Sequence, residues 1–326
     1  MASLMCFSLQ THITILSSVI SCFLAWKMFN DFTIFYPVLA GIVTALLWAW
    51  LTEYYTSYDK SPVLAVARAA QTGPATNVLM GLATGMESTA IPALVLCITV
   101  FIAYYLAGLY GIAMVAVGFL SITATLISMP AYGPIVDNAH GIIEMSGLSS
   151  ETRGVTDVLD SVGNTNKAIC KGYAVGTSVL AQIAMFSAYV EKVGLTAINI
   201  VKPSVIVGLL IGGIVSFAFC SLLIKAVGKA ASKMIEEVRR QFKEIPGLRE
   251  GKAKPDYARC VDISTRAALK GLLVPSIISV IVPLGVGFIL GAEAVGGLIV
   301  GNIATVLPLA LMLMHSGTAW DNAKKY

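Results

Sequence analysis

The chain has 326 residues, of which 57% are hydrophobic and 12% charged, and its mean hydropathy is +0.81. Those values exclude an ordinary soluble globular domain. The net charge of +4 is small, and an uneven distribution of Lys and Arg between loops accounts for it without a nucleic-acid partner.

Apolar runs of bilayer-crossing length, roughly 20 residues each, recur from one end of the chain to the other. Eight are predicted in chain order: 7–29, 36–57, 88–109, 112–135, 158–189, 202–230, 266–289 and 292–316. The first has no basic n-region and no clear small-residue cleavage site after it, so it reads as a helix rather than a leader. The expected fold is therefore all-α: a polytopic membrane helix bundle of about eight transmembrane helices, forming a single membrane domain over 1–326.

Basic residues set the orientation. Twelve of the 22 Lys and Arg fall between Lys225 and Lys270, whereas Lys27, Lys192 and Lys202 occupy loops on the opposite side. The positive-inside rule places the first group in the cytosol. Counting helices back, loops at about 58–87, 136–157 and 231–265 and the tail 317–326 face the same side. The 225–270 segment is amphipathic and is broken at Pro246-Gly247 and Pro255. It reads as a solvated helical extension and loop, with contact to anionic lipid headgroups as the alternative.

Cys6, Cys22, Cys97, Cys170, Cys220 and Cys260 show neither a CxxC spacing nor a pairing with histidine, so no thiolate metal site or disulfide framework is indicated. His12, His140 and His315 are assigned structural roles ahead of ligand roles.

Three polar constellations interrupt the apolar pattern. Asp137 and Asn138 follow Gly133 and Pro134 where a helix reaches the cytosolic face. Asp157, Asp160 and Asn164 share one helical face by their spacing, and Lys167 and Lys171 continue it. Asp321, Lys324 and Lys325 at i, i+3 and i+4 give a third face with one carboxylate and two ammonium groups. Ionisable groups at membrane depth are costly unless they are paired or line a wet cavity. A carboxylate suits a hard cation and a lysine suits a phosphate oxygen, so acids and lysines together favour a polyanion carried with Mg²⁺. For Asp157 and Asp160 an alternative stays open, in which they pair with Arg153 and the helix lysines.

The longer motifs carry a resemblance. YGPIVDNAHGIIEM (Tyr132 to Met145), TDVLDSVGNTNKAICKGYAVG (Thr156 to Gly176) and GTAWDNAKKY (Gly317 to Tyr326) resemble the membrane-integral, ion-pumping pyrophosphatases. EYYTS (Glu53 to Ser57) and TGPATNVLMGLATGMES (Thr72 to Ser88) fit the same family. The resemblance implies hydrolysis of cytosolic inorganic pyrophosphate coupled to H⁺ transport across a membrane. It also implies homodimers of sixteen-helix subunits, embedded in membrane lipid and with Mg²⁺ as cofactor. By motif position Asp137, Asn164 and Asp321 would hold Mg²⁺, and Lys324 and Lys325 would bind the phosphate oxygens. Asp157, Asp160 and Lys171 are secondary candidates, and no catalytic acid is assigned to this chain. Lys167 fills the position that marks the potassium-independent subclass, where its ammonium takes the place of bound K⁺. Members with that lysine occur in bacterial plasma membranes and in vacuolar, acidic or Golgi-like compartments.

His140 and Thr318 stand where many members have Gly, and Cys170 stands where Thr is common. None of these changes removes an expected ligand. The chain is about half a family subunit, and it reads as the C-terminal half, supplying about half of the Mg-pyrophosphate site. Alone, it is expected not to hydrolyse pyrophosphate. Two other classes compete with that reading: a secondary transporter, although no internal repeat is seen, and a non-catalytic truncated membrane protein.

Overall fold

The computed structural model describes residues 32–326 together with residues 12, 16, 19–24 and 26–28. Most of the run expected at 7–29, and Cys6 with it, lies outside the described residues. The helices that follow are α1 (Phe35–Thr56), α2 (Ser61–Ala70), α3 (Pro74–Leu120), α4 (Thr123–Met145), α5 (Ser150–Val193), α6 (Pro203–Glu244), α7 (Tyr257–Leu290) and α8 (Ala292–Ala323). No strand occurs among the described residues. The expected all-α membrane bundle is what forms.

Helix boundaries follow local chemistry. α2, α3 and α6 each begin with proline in the first turn, where a missing N–H costs nothing and the ring presets φ. The Asp256 carboxylate caps α7 by accepting from the Arg259 backbone N–H at 3.0 Å. Gly291, at φ 89°, separates α7 from α8.

Six stretches of the described chain are long and apolar enough to cross a membrane: Phe35–Ala70, which joins α1 to α2, and helices α3, α5, α6, α7 and α8. The boundary expected near 110 is present as a break inside α3, where Ala107 and Gly108 leave helical geometry. The expected span 112–135 is divided: its first part ends α3, the chain turns at Ser121, and the rest begins α4. α4 is not one of the six, because Pro130, Pro134 and the polar segment from Tyr132 to His140 dilute its apolar character. Large apolar side chains on the spans point outward, Phe288 on α7 being 88% exposed. That inversion of the soluble pattern fits a hydrocarbon solvent.

Contacts divide the chain into two compact units. The first comprises Met1–Tyr189 and Leu307–Tyr326. Its core stacks aromatics from three helices: Trp48 of α1 meets Phe119 of α3 edge-on at 5.9 Å, and Phe119 stacks on Tyr173 of α5 at 5.1 Å. The Trp48 indole N–H donates to the Pro92 carbonyl at 2.9 Å, so the buried ring leaves no donor unpaired. His315 is buried between hydroxyls, Nδ1 lying 2.7 Å from Ser88 Oγ and Nε2 lying 3.2 Å from Thr52 Oγ1. The Ser88 hydroxyl donates to the Gly85 carbonyl at 2.7 Å, so it accepts from His315 and the imidazole is the Nδ1–H tautomer. His315 therefore ties α1, α3 and α8 together, the structural role expected of it.

The second unit comprises Val190–Val306. There α6 and α8 approach backbone to backbone. A Cβ on Gly208 or Gly212 would sit 2.1 Å from the Ala294 or Leu298 carbonyl oxygen, and one on Gly301 would sit 2.0 Å from the Leu209 carbonyl. This is the small-residue interlock used by helices that lack a hydrophobic drive to associate in lipid. The Asn302 side chain adds a 2.9 Å hydrogen bond to Ser216 across the same seam.

Candidate functional site

The site lies in the first unit, where α4, α5 and the C-terminal end of α8 meet the end of α1. On α5 the 3.6-residue period puts Asp157, Asp160, Asn164 and Lys167 along one stripe. Only part of the stripe is sealed: Asp160 and Asn164 are buried, while Asp157 is about one-third exposed. α4 lies close against it because Gly133 carries no side chain. A Cβ there would fall 2.4 Å from Lys167 Cε, so Gly133 makes the channel through which the lysine stem passes.

Lys167 joins two of the expected ligands. Its ammonium donates to Asp137 Oδ2 at 3.1 Å and to Asn164 Oδ1 at 3.2 Å. The Asn164 amide donates to Asn322 Oδ1 at 3.2 Å. Asn322 is fully buried, and its own amide donates to the Thr56 carbonyl at 2.7 Å, to the Ser161 carbonyl at 3.3 Å and to Thr165 Oγ1 at 3.3 Å. One asparagine thus fastens the ends of α1, α5 and α8 and sets the depth of the site.

The two tail lysines differ sharply. Lys324 is 63% exposed and pairs with Asp321 at 2.6 Å. That hydrogen bond, helped by the charges of Asp321, Asp160 and Asp137, holds the Lys324 ammonium above the usual lysine range despite partial burial. Lys325 is 7% exposed, and its ammonium pairs with the buried Asp160 Oδ2 while also donating to the Asp157 carbonyl at 3.4 Å. Asp160 Oδ1 is buried and has no hydrogen-bond partner.

The alternative pairing of Asp157 and Asp160 is corrected in detail. Arg153 reaches Glu144 at 2.7 Å, Asp157 faces His140 at 3.4 Å, and Asp160 takes a lysine from the distant chain end. Arg153 is committed to Glu144, and the fold brings the tail lysine onto α5. His140 also meets Thr156 Oγ1 at 3.2 Å and so links α4 to α5. Lys171 is exposed and makes no ion pair with the site acids.

Sequence reasoning missed Asn322, Gly133 and Thr56. Asn322 had a signal available: a polar residue between Asp321 and Lys324 on a helix otherwise apolar must find partners. Nothing local marked Thr56, whose carbonyl matters rather than its side chain.

Among the described residues no three His, Cys, Asp or Glu side chains converge on one metal-sized position. Mg²⁺ does not need three, since it commonly takes one or two carboxylates, several waters and substrate phosphates. The donor set is hard oxygen, and Asp137 and Asp321 are 55% and 40% exposed. These residues fit partial coordination of such an ion.

Fold and site together define a polytopic α-helical membrane protein with an acid–lysine cluster at the ends of its helices. The chain matches the family described as inorganic H+ pyrophosphatase over residues 2–326, and it belongs to that family. It is 45% identical over 322 residues to a K(+)-insensitive pyrophosphate-energized proton pump of Methanosarcina mazei, covering 96% of this chain and 48% of that protein. It is 49% identical over 313 residues to K(+)-insensitive pyrophosphate-energized proton pump 2 of Moorella thermoacetica, covering 91% and 46%. Identity to a K(+)-stimulated pyrophosphate-energized sodium pump of Thermotoga maritima is 43% over 309 residues, covering 91% and 43%. The chain spans about half the length of the curated relatives it matches.

Proposed function

We propose that this chain supplies about half of a cytosol-facing Mg-pyrophosphate site, in a multi-pass membrane protein that couples pyrophosphate hydrolysis to H⁺ transport. The observation that carries the reading is the alternation of acids and ammonium groups at one place: Asp137 with Lys167, Asp321 with Lys324, Asp160 with Lys325. A polyanion brought in with a hard cation can exchange with such pairs on both sides, its oxygens meeting the lysines and the cation meeting the carboxylates.

Asp137, Asn164 and Asp321 would hold Mg²⁺, which when bound neutralises phosphate charge. Lys324, charged and exposed, meets phosphate oxygens first, and Lys325 neutralises the charge that builds on the departing phosphate. Such a site contributes position and charge rather than covalent chemistry, which is what phosphoryl transfer asks of a protein. Homodimer assembly belongs to the same reading.

The test is magnesium-dependent phosphate release from pyrophosphate in membranes carrying the native protein. Lys325→Met and Asp321→Ala are each expected to lower it about a hundredfold. Activity unaffected by both would sink the proposal. Flux of a substrate with no pyrophosphate present would point to a secondary transporter instead.

Relatives of both potassium types match at similar identity, so overall similarity does not choose between them. Lys167 does. Its ammonium lies between the oxygens of Asp137 and Asn164, the kind of seat a monovalent cation takes. Activity is expected to be equal in Na⁺ and K⁺ media, and a clear K⁺ requirement would overturn the assignment.

A further inference from the structure

We propose that Asp160 is the positioning residue of this site, holding the Lys325 ammonium so that one of its N–H groups is kept for a phosphate oxygen. The inference rests on the pyrophosphate reading above and deepens it. A lysine ammonium has three donors. One goes to Asp160 Oδ2, and a second goes to the Asp157 carbonyl at 3.4 Å. The third has no partner among the described residues. Lysine is a flexible point charge on a long stem, and it becomes a defined donor only when something fixes it. Asp160 does so from a helix 165 residues earlier in the chain, with both side chains almost sealed from solvent. Lys324 beside it pairs instead with Asp321, three residues back on the same helix, and its ammonium stays exposed.

The second observation is the orphaned oxygen. Buried polar atoms are nearly always hydrogen-bonded, and each exception calls for a reason. A pair serving stability alone would have both carboxylate oxygens satisfied. Asp160 uses one and leaves the other bare, so the carboxylate seats Lys325 without saturating it. Asp160 thus acts through Lys325 and is assigned no contact with the phosphate.

The test is amine acylation in membranes carrying the native protein, read by peptide mass spectrometry, with inorganic pyrophosphate and Mg²⁺ as the probe. In the unmodified chain the sealed Lys325 ammonium is expected to react several-fold more slowly than the exposed Lys324 ammonium, because the reagent reaches it poorly. Asp160→Asn is expected to erase that difference by speeding Lys325, with Lys324 quickened only slightly and Lys167 unchanged, and Asp160→Glu, which keeps the charge, is expected to restore most of it. The concentration of magnesium pyrophosphate that half-protects Lys324 should rise about tenfold in Asp160→Asn and little in Asp160→Glu. Equal reactivity of Lys324 and Lys325 at the outset would overturn the proposal. So would identical behaviour of the Asn and Glu variants, an unshifted half-protection concentration, or acceleration of all three lysines together, which reports loss of fold. No protection of Lys324 in the unmodified chain would overturn the pyrophosphate reading itself, and with it the use assigned to the third N–H.

Discussion

Asp160 in the first unit and Glu237 in the second are both buried acids with basic partners, and they are finished differently. Glu237 Oε1 accepts from Arg240 Nη2 at 2.7 Å and Gln241 Nε2 at 2.9 Å, while Oε2 accepts from Arg240 Nε at 2.9 Å and faces Arg259 Nε at 3.0 Å. Gln241 also grips the Asp256 backbone, accepting from its N–H at 2.8 Å and donating to its carbonyl at 3.0 Å. Every oxygen is used, and the result is a staple that closes the turn from α6 to α7. Asp160 holds one lysine and leaves an oxygen bare. A saturated buried acid fixes a fold, whereas Asp160 seats one lysine without saturating it. Burial alone does not separate the two, since the side chains are 4% and 2% exposed; the count of partners does.

The largest test of that contrast is Lys325→Met, which strands the Asp160 charge in a dry site. Breaking a buried pair from one side costs about 3–5 kcal/mol, so thermal unfolding in detergent should show a large loss. Adding Asp160→Leu should recover most of it, and a double variant no more stable than the single would mean the pair is not coupled as described. Next comes overpacking of the second unit: Gly301→Leu forces a side chain against the Leu209 carbonyl and should cost about 1–3 kcal/mol. Glu237→Gln should have a more local effect. Arg240 keeps Glu244 at 2.7 Å, so the helices stay folded while trypsin cuts the 245–256 turn several-fold faster. Unchanged cleavage would show that the staple does not hold that turn. The smallest change is expected from Lys324→Met. An exposed pair contributes below about 1 kcal/mol, so stability should barely move while pyrophosphate protection of the site is lost. The raised Lys324 pKa makes its pairing fully present below the ordinary lysine range and lost only as pH climbs above it. Titration between pH 6 and 8 should therefore leave that pairing intact, and a loss of Lys324 protection within this window would contradict it.

How much was legible is clearest at Lys324 and Lys325. Adjacent in sequence and identical in chemistry, they carry one shared expectation from the sequence, contact with phosphate oxygens. Their spacing from Asp321 puts both on one face with it, yet only Lys324 pairs with Asp321, and Lys325 turns inward to α5. Helical periodicity places a side chain on a stripe and does not say which neighbouring helix the stripe meets. The run 112–135 failed for a related reason. Its hydropathy suits one span, but the turn at Ser121 and the polar residues after Tyr132 give its second half to α4.

The sequence alone determined the class of molecule, because apolar runs of bilayer length leave the backbone no choice but helix in a solvent that cannot hydrogen-bond it. It also narrowed the candidate residues, since ionisable groups such as Asp137, Lys167, Asp321, Lys324 and Lys325 are costly at helix ends in a membrane unless paired or solvated. Only the tertiary structure decided which acid holds which lysine, which carboxylate oxygen is left over, and that Asn322 and Gly133 set the geometry. Those outcomes depend on distances between helices far apart in the chain, and side-chain pairing in a low-dielectric site is decided by those distances.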